Sequence, residues 1–342
     1  MGFTHSSELT LPLEATAELQ QFWRAQLAEH ELDTVEDSAD TIAGGASWGR
    51  IEMRLDQPTA CIRVSTDDES VLLLARSDIS AHLAGLDERI GQLAWTGEHK
   101  VGARLPELAT AAVSRVTRLA PHYYRVELVG DALARFAQTG LHFRLLRQSD
   151  ASRTPVWPAV NARGNVDWPS GEDSLYQKVY TVRTFDTASN TLVFDVFIHD
   201  GGITSEWAAS EPVGQTVGLL GPGGGWFPDA ETLMLFGDET ALPAVLRIIE
   251  NTPEHVDGQA YLLVEDALDE QTVVHSSGVT VHWLHRARGD SLVVALERAT
   301  TDTPTTYWWF ASSQGDTKAA QRVLRKDRAI DKHRVYAAAY WS

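Results

Sequence analysis

The feature that most constrains the fold is a change of residue pattern at the glycine-rich segment 221–226, which reads GPGGGW. After it, continuous apolar segments typical of buried parallel strands alternate with helical segments. The strand segments read TLMLFG, QAYLLVED, VTVHWLH, TYWWFAS and RVYAAAY, and the helical segments between them include 241–250, SLVVALERA and DTKAAQRVLRKD. This alternation predicts a doubly wound α/β domain.

Doubly wound sheets bind ligands beyond the carboxyl ends of their strands. Two polar corners follow such ends, GDET at 237–240 and ASSQG at 311–315. The chain contains no GxGxxG motif, so the standard dinucleotide fingerprint is absent from its sequence.

Before the glycine-rich segment, repeated strands with short gaps begin at Ala111 and read AAVSRVTRLA, HYYRVELVG and LHFRLLRQ. Their β-branched and aromatic residues predict an antiparallel six-stranded β-barrel. A segment rich in Pro, Gly and Trp, residues 149–173, interrupts them and predicts a long loop over the barrel. Its Trp157 and Trp168 are either functional or packing residues.

The first hundred residues predict a small α+β domain of unknown role. Residues 12–32 fit a helix, 47–65 alternate as strands do, 70–75 predict a buried strand, and a second helix fits from Ser77. The predicted multidomain α+β chain therefore divides into residues 1–104, a barrel at 105–226 and an α/β part at 227–342.

The charge and composition of the chain argue against several classes of protein. A formal net charge of -18 opposes general binding to nucleic acids and to anionic membranes. The single Cys61 excludes an internal disulfide framework and a four-cysteine iron–sulfur cluster. The amino terminus lacks the pattern of a signal peptide. The sequence also has no uninterrupted apolar run of about 18 residues, the length expected of a membrane-spanning helix. A cytoplasmic location fits these features.

Two segments together resemble a flavin dinucleotide cradle. In the first, 178–183 (KVYTVR), Tyr180 and Thr181 offer a flat apolar surface and a hydrogen-bond partner, and Arg183 offers a planar fork for a phosphate. In the second, 199–207 (HDGGITSEW), a glycine pair precedes residues that can begin a helix, which suits an anion. An ordinary hairpin carrying a tyrosine is the alternative.

The order of barrel, YTVR strand, HDGGITSEWA turn, GPGGG turn, GDETALPAVLRIIE corner and final AYW resembles the siderophore-interacting protein family, over about residues 105–342. Members are flavin-dependent ferric-siderophore reductases of the ferredoxin-reductase superfamily. The first hundred residues resemble, more weakly, a small domain found fused to such proteins.

The resemblance implies FAD between the barrel and the α/β domain. It assigns the cofactor contacts to Lys178, Tyr180, Thr181, Val182, Arg183, His199, Gly202, Thr204, Ser205, Trp207 and Trp341. It assigns the pyridine-nucleotide side to Asp238, Glu239 and Thr240. For Trp341, a position in the core of the last strand is an equal alternative.

The chain departs from the family pattern in two places that affect function. Lys178 replaces an arginine and so loses the bidentate fork. The family's usual Gly-Glu near the last corner is replaced by Ser312, Ser313 and Gln314, so that reduced ferredoxin is an alternative to NAD(P)H as electron donor.

The expected function is reduction of a ferric siderophore to release Fe(II). Hydride acceptance and one-electron release belong to the flavin, so no catalytic acid, base or nucleophile is named and iron is a substrate. The alternatives are a flavin reductase-type oxidoreductase with another acceptor and a non-catalytic siderophore- or flavin-binding protein.

An anionic ferric siderophore requires a local basic surface on this acidic chain. The densest basic cluster comprises Arg322, Arg325, Lys326, Arg328, Lys332 and Arg334. It predicts a site for the siderophore or for the 2′-phosphate of NADPH, and a solvated helix face is the alternative.

Overall fold

The computed structural model describes residues 3–12, 16–30, 32–46, 48–55, 59–97, 99–138, 140–150, 152–301 and 303–341. The chain forms two compact units. The first comprises Met1–Leu108 and Val156–Leu175, and the second Ala109–Pro155 and Tyr176–Ser342.

The strands are β1 (His5–Thr10), β2 (Asp33–Asp37), β3 (Thr41–Ala46), β4 (Gly49–Arg54), β5 (Cys61–Thr66), β6 (Leu108–Ala120), β7 (Tyr123–Val129), β8 (His142–Gln148), β9 (Ala159–Val160), β10 (Val166–Asp167), β11 (Leu175–Thr181), β12 (Thr184–Asp186), β13 (Thr191–Phe197), β14 (Thr216–Gly223), β15 (Thr232–Gly237), β16 (Asp257–Val264), β17 (Gly278–His285), β18 (Tyr307–Ser313) and β19 (Val335–Trp341). The α-helices are α1 (Ala17–Glu29), α2 (Glu69–Ala84), α3 (Ile203–Ala209), α4 (Leu242–Glu250), α5 (Leu292–Arg298) and α6 (Gln314–Gln321), and a π-helical segment at Arg322–Asp327 follows α6.

The amino-terminal unit is an antiparallel sheet with strand order β1-β5-β4-β3-β2, covered by α1 and α2. Residues of β4 alternate between buried and partly buried, as expected where one face of a sheet is covered. Helix α1 begins at Thr16, whose hydroxyl accepts a hydrogen bond from the Leu19 amide at 3.2 Å. This arrangement confirms the small α+β domain.

The strand predicted at residues 70–75 is wrong, because these residues form the first half of α2. Asp68 caps this helix by accepting a hydrogen bond from the Ser70 amide at 2.8 Å. The buried Leu72, Ile79 and Leu83 then follow at helical spacing. The run SVLLLA resembles a strand only when it is read without its cap and without the residues that follow.

The prediction of a long loop over the barrel at 149–173 is also wrong. Much of this segment belongs to the amino-terminal unit, where β9 and β10 pair as a short antiparallel hairpin. The Ser77 hydroxyl of α2 accepts a hydrogen bond from the Val166 amide at 3.0 Å, and the Arg163 carbonyl accepts one from the Trp95 amide at 3.0 Å. Hydrogen bonds therefore attach the segment to α2 and to the residues near Trp95.

The next part of the chain is the predicted six-stranded barrel. Its strand order is β11-β8-β14-β6-β7-β13-β12, and β11 and β12 are two halves of one strand interrupted at Val182 and Arg183. The Val182 amide donates to the Leu141 carbonyl and the Arg183 amide to the Val193 carbonyl, at 2.9 and 2.8 Å. The interrupted strand thus joins both edges of the sheet and closes it.

The last part is the predicted doubly wound half. Its five parallel strands lie in the order β17-β16-β15-β18-β19, so the chain reverses direction between β15 and β18. The two polar corners that the sequence identified follow these two strands. They lie side by side at the switch point, where such sheets bind ligands.

The barrel and the α/β half pack within one compact unit. The buried Tyr123 and Leu141 of the barrel side share a hydrophobic core with α4. Arg247 of α4 donates hydrogen bonds to the carbonyl groups of Phe136 and Gly140, both at 3.2 Å. The division into three domains at 1–104, 105–226 and 227–342 stays a prediction.

Candidate functional site

The two predicted halves of the flavin cradle meet at Tyr180, near the end of β11. Its ring packs against Phe194 and Phe143 of the barrel, with centroids 5.1 and 6.5 Å away. Burial raises the pKa of the Tyr180 phenol above its ordinary value, and the hydroxyl of Thr204 in α3 acts in the opposite direction. The structure therefore brings the YTVR strand and the glycine-containing turn together.

The turn before α3 depends on glycine. Gly201 has a φ of +71°, which favours glycine. A Cβ on Gly202 would lie 2.3 Å from the Ser205 Oγ atom, which donates a hydrogen bond to the Gly202 carbonyl at 2.7 Å. No side chain caps α3, so its first amide groups have no side-chain acceptor.

Thr204 has an unsatisfied polar atom at this helix start. Its side chain is buried, and its Oγ1 atom makes no hydrogen bond of good geometry to any residue that the structure describes. Buried polar atoms normally have well-formed hydrogen bonds, so this hydroxyl, whose neighbour is the Tyr180 phenol, can accept a bond from a ligand or donate one to it.

Arg147 on β8 is a candidate binding residue that the sequence analysis missed. Its guanidinium is buried and lies over the rings of Tyr176 and Trp207, 5.2 and 5.5 Å from their centroids. Burial lowers its pKa, and no carboxylate pairs with it within the described ranges. An unpaired buried cation favours an anionic ligand. The run HFRLLRQ shows two arginines but not which one points inward.

Arg183 occupies a different environment from the predicted phosphate site. It is buried, and its two terminal amines donate to the carboxylate of Glu250 on α4 at 2.5 and 2.6 Å. Its Nε atom lies 4.0 Å from Asp195 and makes no hydrogen bond to the residues described. A phosphate contact by Arg183 stays a prediction, and its fork is engaged by Glu250 in this structure.

Thr181 belongs to a buried hydrogen-bond network that crosses from the barrel to the last strand. Its hydroxyl lies 3.2 Å from Nδ1 of His142, and the Tyr340 hydroxyl lies 2.7 Å from the other ring nitrogen. Burial and the charge of Arg247 lower the pKa of His142 to about 4. His142 is therefore neutral at pH 7, with one nitrogen donating and the other accepting.

Asp238, predicted to line the nucleotide side, organises the switch point. Its carboxylate accepts hydrogen bonds from the Thr240 amide at 2.9 Å, the Ser312 hydroxyl at 2.9 Å and the Trp341 indole at 2.7 Å. Trp341 is thus attached to the corner. With 44% of the residue exposed, it is not buried in the core. Because the buried Glu239 pairs with Arg286 at 2.5 and 2.8 Å, neither carboxylate is free.

The remaining predicted cofactor residues differ in solvent exposure. Lys178 and His199 are exposed, and His199 donates from Nδ1 to the Asp200 carbonyl at 3.1 Å. Val182 and Trp207 belong to the barrel core, where the Trp207 indole donates to Gln215 at 2.9 Å. Cofactor contacts by these four residues stay predictions.

The basic cluster lies away from the switch point. The chain returns from the carboxyl end of β18 through α6, and Arg334 directly precedes the start of β19, at the amino edge of the sheet. Arg328 lies over Trp308 at 5.0 Å and donates to the Leu296 carbonyl at 2.7 Å. Arg325 and Lys326 are exposed. Binding by this cluster stays a prediction, and the cluster would form a site separate from the switch point.

These observations fit FAD on the barrel side. An unpaired buried guanidinium and a threonine hydroxyl without a well-formed hydrogen bond both lie near Tyr180, and the helix that carries this threonine has no side-chain cap, which suits a pyrophosphate. Within the described ranges, no group of three or more His, Cys, Asp or Glu side chains could hold a metal ion. Among those residues, no helix is long and apolar enough to cross a membrane.

A closed six-stranded antiparallel barrel with an anion-suited turn, followed by a doubly wound parallel sheet, defines a fold of the ferredoxin-reductase type. Two family models match this part of the chain. The siderophore-interacting FAD-binding domain matches residues 112–226, and the siderophore-interacting protein model matches residues 230–342.

Relatives of known name agree with these matches. The chain is 31% identical over 239 residues to the NADPH-dependent ferric-chelate reductase of Escherichia coli (strain K12), covering 67% of this chain and 91% of the relative. It is 29% identical over 230 residues to the ferric vibriobactin reductase ViuB of Vibrio cholerae serotype O1, covering 64% and 83%. The crystal structure of a siderophore utilization protein from T. fusca matches with a TM-score of 0.60 at 29% identity, covering 71% of this chain and 96% of that one.

The chain therefore belongs to the siderophore-interacting protein family, and its barrel is the FAD-binding domain of that family.

Proposed function

We propose that this protein is an FAD-dependent ferric-siderophore reductase. The observation that carries the proposal is that both family models match this chain, at residues 112–226 and 230–342. The barrel also offers a buried, unpaired cation, Arg147, to an anionic ligand. The named relatives, a ferric-chelate reductase and a ferric vibriobactin reductase, support the same class of reaction.

The chain's own residues bind and orient the cofactor. Arg147 and the start of α3 would hold the pyrophosphate, and Tyr180 would form an apolar wall beside the ring. Thr181, positioned by His142, would present its hydroxyl to the ring. Bound FAD supplies hydride acceptance and one-electron release, so these side chains need not transfer substrate protons.

Iron is the substrate of the proposed reaction. Ferric siderophores hold Fe(III) through hard oxygen ligands, and reduction to Fe(II) weakens that binding. The proposed partner is therefore a ferric siderophore, from which iron leaves after one-electron reduction. A cytoplasmic location is part of the proposal.

The proposed electron donor is NADPH or NADH, bound at the switch point near Asp238 and Thr240. The printed name of the Escherichia coli relative specifies NADPH. Reduced ferredoxin is the alternative donor, because Ser312 and Ser313 stand where the family usually has Gly-Glu.

An anaerobic titration tests the proposal and identifies the donor. The purified full chain is loaded with FAD, and the flavin absorbance near 450 nm is followed during addition of NADH, NADPH and reduced ferredoxin in separate runs. We expect bleaching by at least one donor and recovery of the absorbance on addition of a ferric siderophore. A chain that takes up no FAD would contradict the proposal, as would a reduced flavin that the siderophore does not reoxidise.

A further inference from the structure

The amino-terminal unit contains a cavity that the proposed reductase activity does not use. It has a volume of about 400 Å³ and lies between α1, α2 and the sheet. Both family models begin after the residues that line this cavity, at residues 112 and 230. Its wall is mainly aromatic and aliphatic, with Phe22, Trp23, Trp48, Leu74 and Ile79 among its residues.

The cavity is partly open to solvent, so a ligand can enter it. Ligand sites commonly have volumes of about 300–1,000 Å³, apolar walls and a small number of polar groups. The volume and the wall therefore point to an apolar, aromatic ligand.

Two polar side chains of the wall offer an acceptor atom to such a ligand. His82 donates from Nδ1 to the Asp78 carbonyl at 2.7 Å, because a carbonyl oxygen only accepts. In this tautomer the ring presents Nε2 as an acceptor. Gln26 donates from Nε2 to Glu29 at 3.1 Å, and its Oε1 is shielded from solvent and accepts no hydrogen bond from the residues described.

The charges near these acceptors select against anions. Asp78 belongs to the wall, and Glu29 contacts the Gln26 amide. A bound carboxylate would meet the acceptor atoms of His82 and Gln26 and the negative charge of Glu29. A hydroxyl group would supply the missing donor without an unfavourable charge.

We propose that this cavity binds a small neutral aromatic molecule that carries a hydroxyl group. The ring occupies the apolar space between the two helices, and the hydroxyl donates to His82 Nε2. The inference does not depend on the flavin site, and its failure would leave the reductase proposal unchanged.

Equilibrium dialysis of the full chain, loaded with FAD so that the flavin site is occupied, tests this proposal. The probes are 2-naphthol, naphthalene and 2-naphthoate. We expect 2-naphthol to bind about fivefold more tightly than naphthalene, which corresponds to about 1 kcal/mol for one hydrogen bond. We expect 2-naphthoate to bind at least about tenfold more weakly than 2-naphthol.

Two variants locate the binding. Ala75→Trp fills the cavity, and we expect it to weaken binding of 2-naphthol and naphthalene at least about tenfold. His82→Phe keeps the ring but removes the acceptor, so its affinities for these two probes should agree within about twofold. The control His5→Phe, on β1 outside the wall, should behave as the parent chain.

The proposal is overturned if the parent chain shows no saturable uptake of 2-naphthol, or if His82→Phe keeps the preference for the hydroxyl. Unchanged affinities in a natively folded Ala75→Trp variant would also overturn it. If Ala75→Trp does not fold, as judged by circular dichroism, the comparison of His82→Phe with the parent chain still decides the result.

Discussion

At the scale of the residue, the cofactor side of the barrel depends on a cation that the protein leaves unpaired. Arg147 is enclosed by Tyr176 and Trp207, whereas Arg144 on the same strand is exposed. A spacing of three residues places the two side chains on opposite faces of β8. Only the inward arginine can complement a buried phosphate.

We expect Arg147→Gln to weaken FAD binding by about 2 kcal/mol, or about thirtyfold, because it removes charge-assisted hydrogen bonds to the pyrophosphate. Stability should not fall, since the variant also removes an unpaired buried charge. Fluorescence titration of the apoprotein with FAD measures the affinity. The matched control Arg144→Gln should stay within about twofold of the parent chain, and equal affinities in the two variants would contradict the assignment.

His142 makes stability depend on pH. Because burial lowers its folded pKa to about 4, the unfolded chain gains a proton below about pH 6.5 that the folded chain does not bind. Its contribution to stability is complete above that pH and is lost as the pH falls toward 4. Between pH 7 and pH 5 the expected loss is about 2 kcal/mol.

Urea unfolding at pH 7 and at pH 5 measures this loss. We expect the difference between the two free energies of unfolding to be smaller by about 2 kcal/mol in His142→Gln than in the parent chain. The control His255→Gln, at an exposed position, should keep the parent difference. A parent-like difference in His142→Gln would show that another group causes the pH dependence.

At the scale of the element, the interruption between β11 and β12 connects the barrel to α4. The interruption places Arg183 where its guanidinium meets Glu250, at the end of that helix. The pair is largely buried, with the Arg183 and Glu250 side chains 7% and 22% exposed. Loss of either partner therefore leaves a poorly solvated charge or acceptor.

We expect Glu250→Gln to lower the free energy of unfolding by about 2 kcal/mol, because the buried Arg183 loses its counter-charge. The control Glu254→Gln, at an exposed position just after α4, should change it by less than about 0.5 kcal/mol. Chemical denaturation of both variants provides the measurement, and equal stabilities would contradict a structural role for the pair. An FAD affinity that rises in Glu250→Gln would support the phosphate role predicted for Arg183.

Elements with a regular pattern were predictable from sequence, whereas elements that depend on distant partners were not. The alternation of β15–β19 with helices, and the repeated strands of the barrel, follow from local periodicity. A correct prediction for the run SVLLLA would have required recognition of its helix cap at Asp68. A correct prediction for the hairpin of β9 and β10 would have required knowledge of its hydrogen bonds to α2. Such partners are not visible in a short window of sequence.

At the scale of the whole molecule, the site is formed by residues far apart in the chain. Tyr340 and His142 are 198 positions apart, and Trp341 and Asp238 are 103 positions apart. The resemblance of motifs predicted Tyr180, Thr181 and Thr204 as neighbours of one cofactor. It did not identify Arg147, because which strand face points inward is set by packing rather than by spacing alone.

The central claim is that electrons pass from FAD in this chain to chelated iron. The most direct test is an anaerobic single turnover, in which the FAD-loaded protein is first reduced by two electrons and then mixed with excess ferric siderophore and an Fe(II)-specific chelator. Since each Fe(III) accepts one electron, the account predicts that the flavin reoxidises and that about two Fe(II) form per FAD. A flavin that stays reduced while no Fe(II) forms would contradict the account.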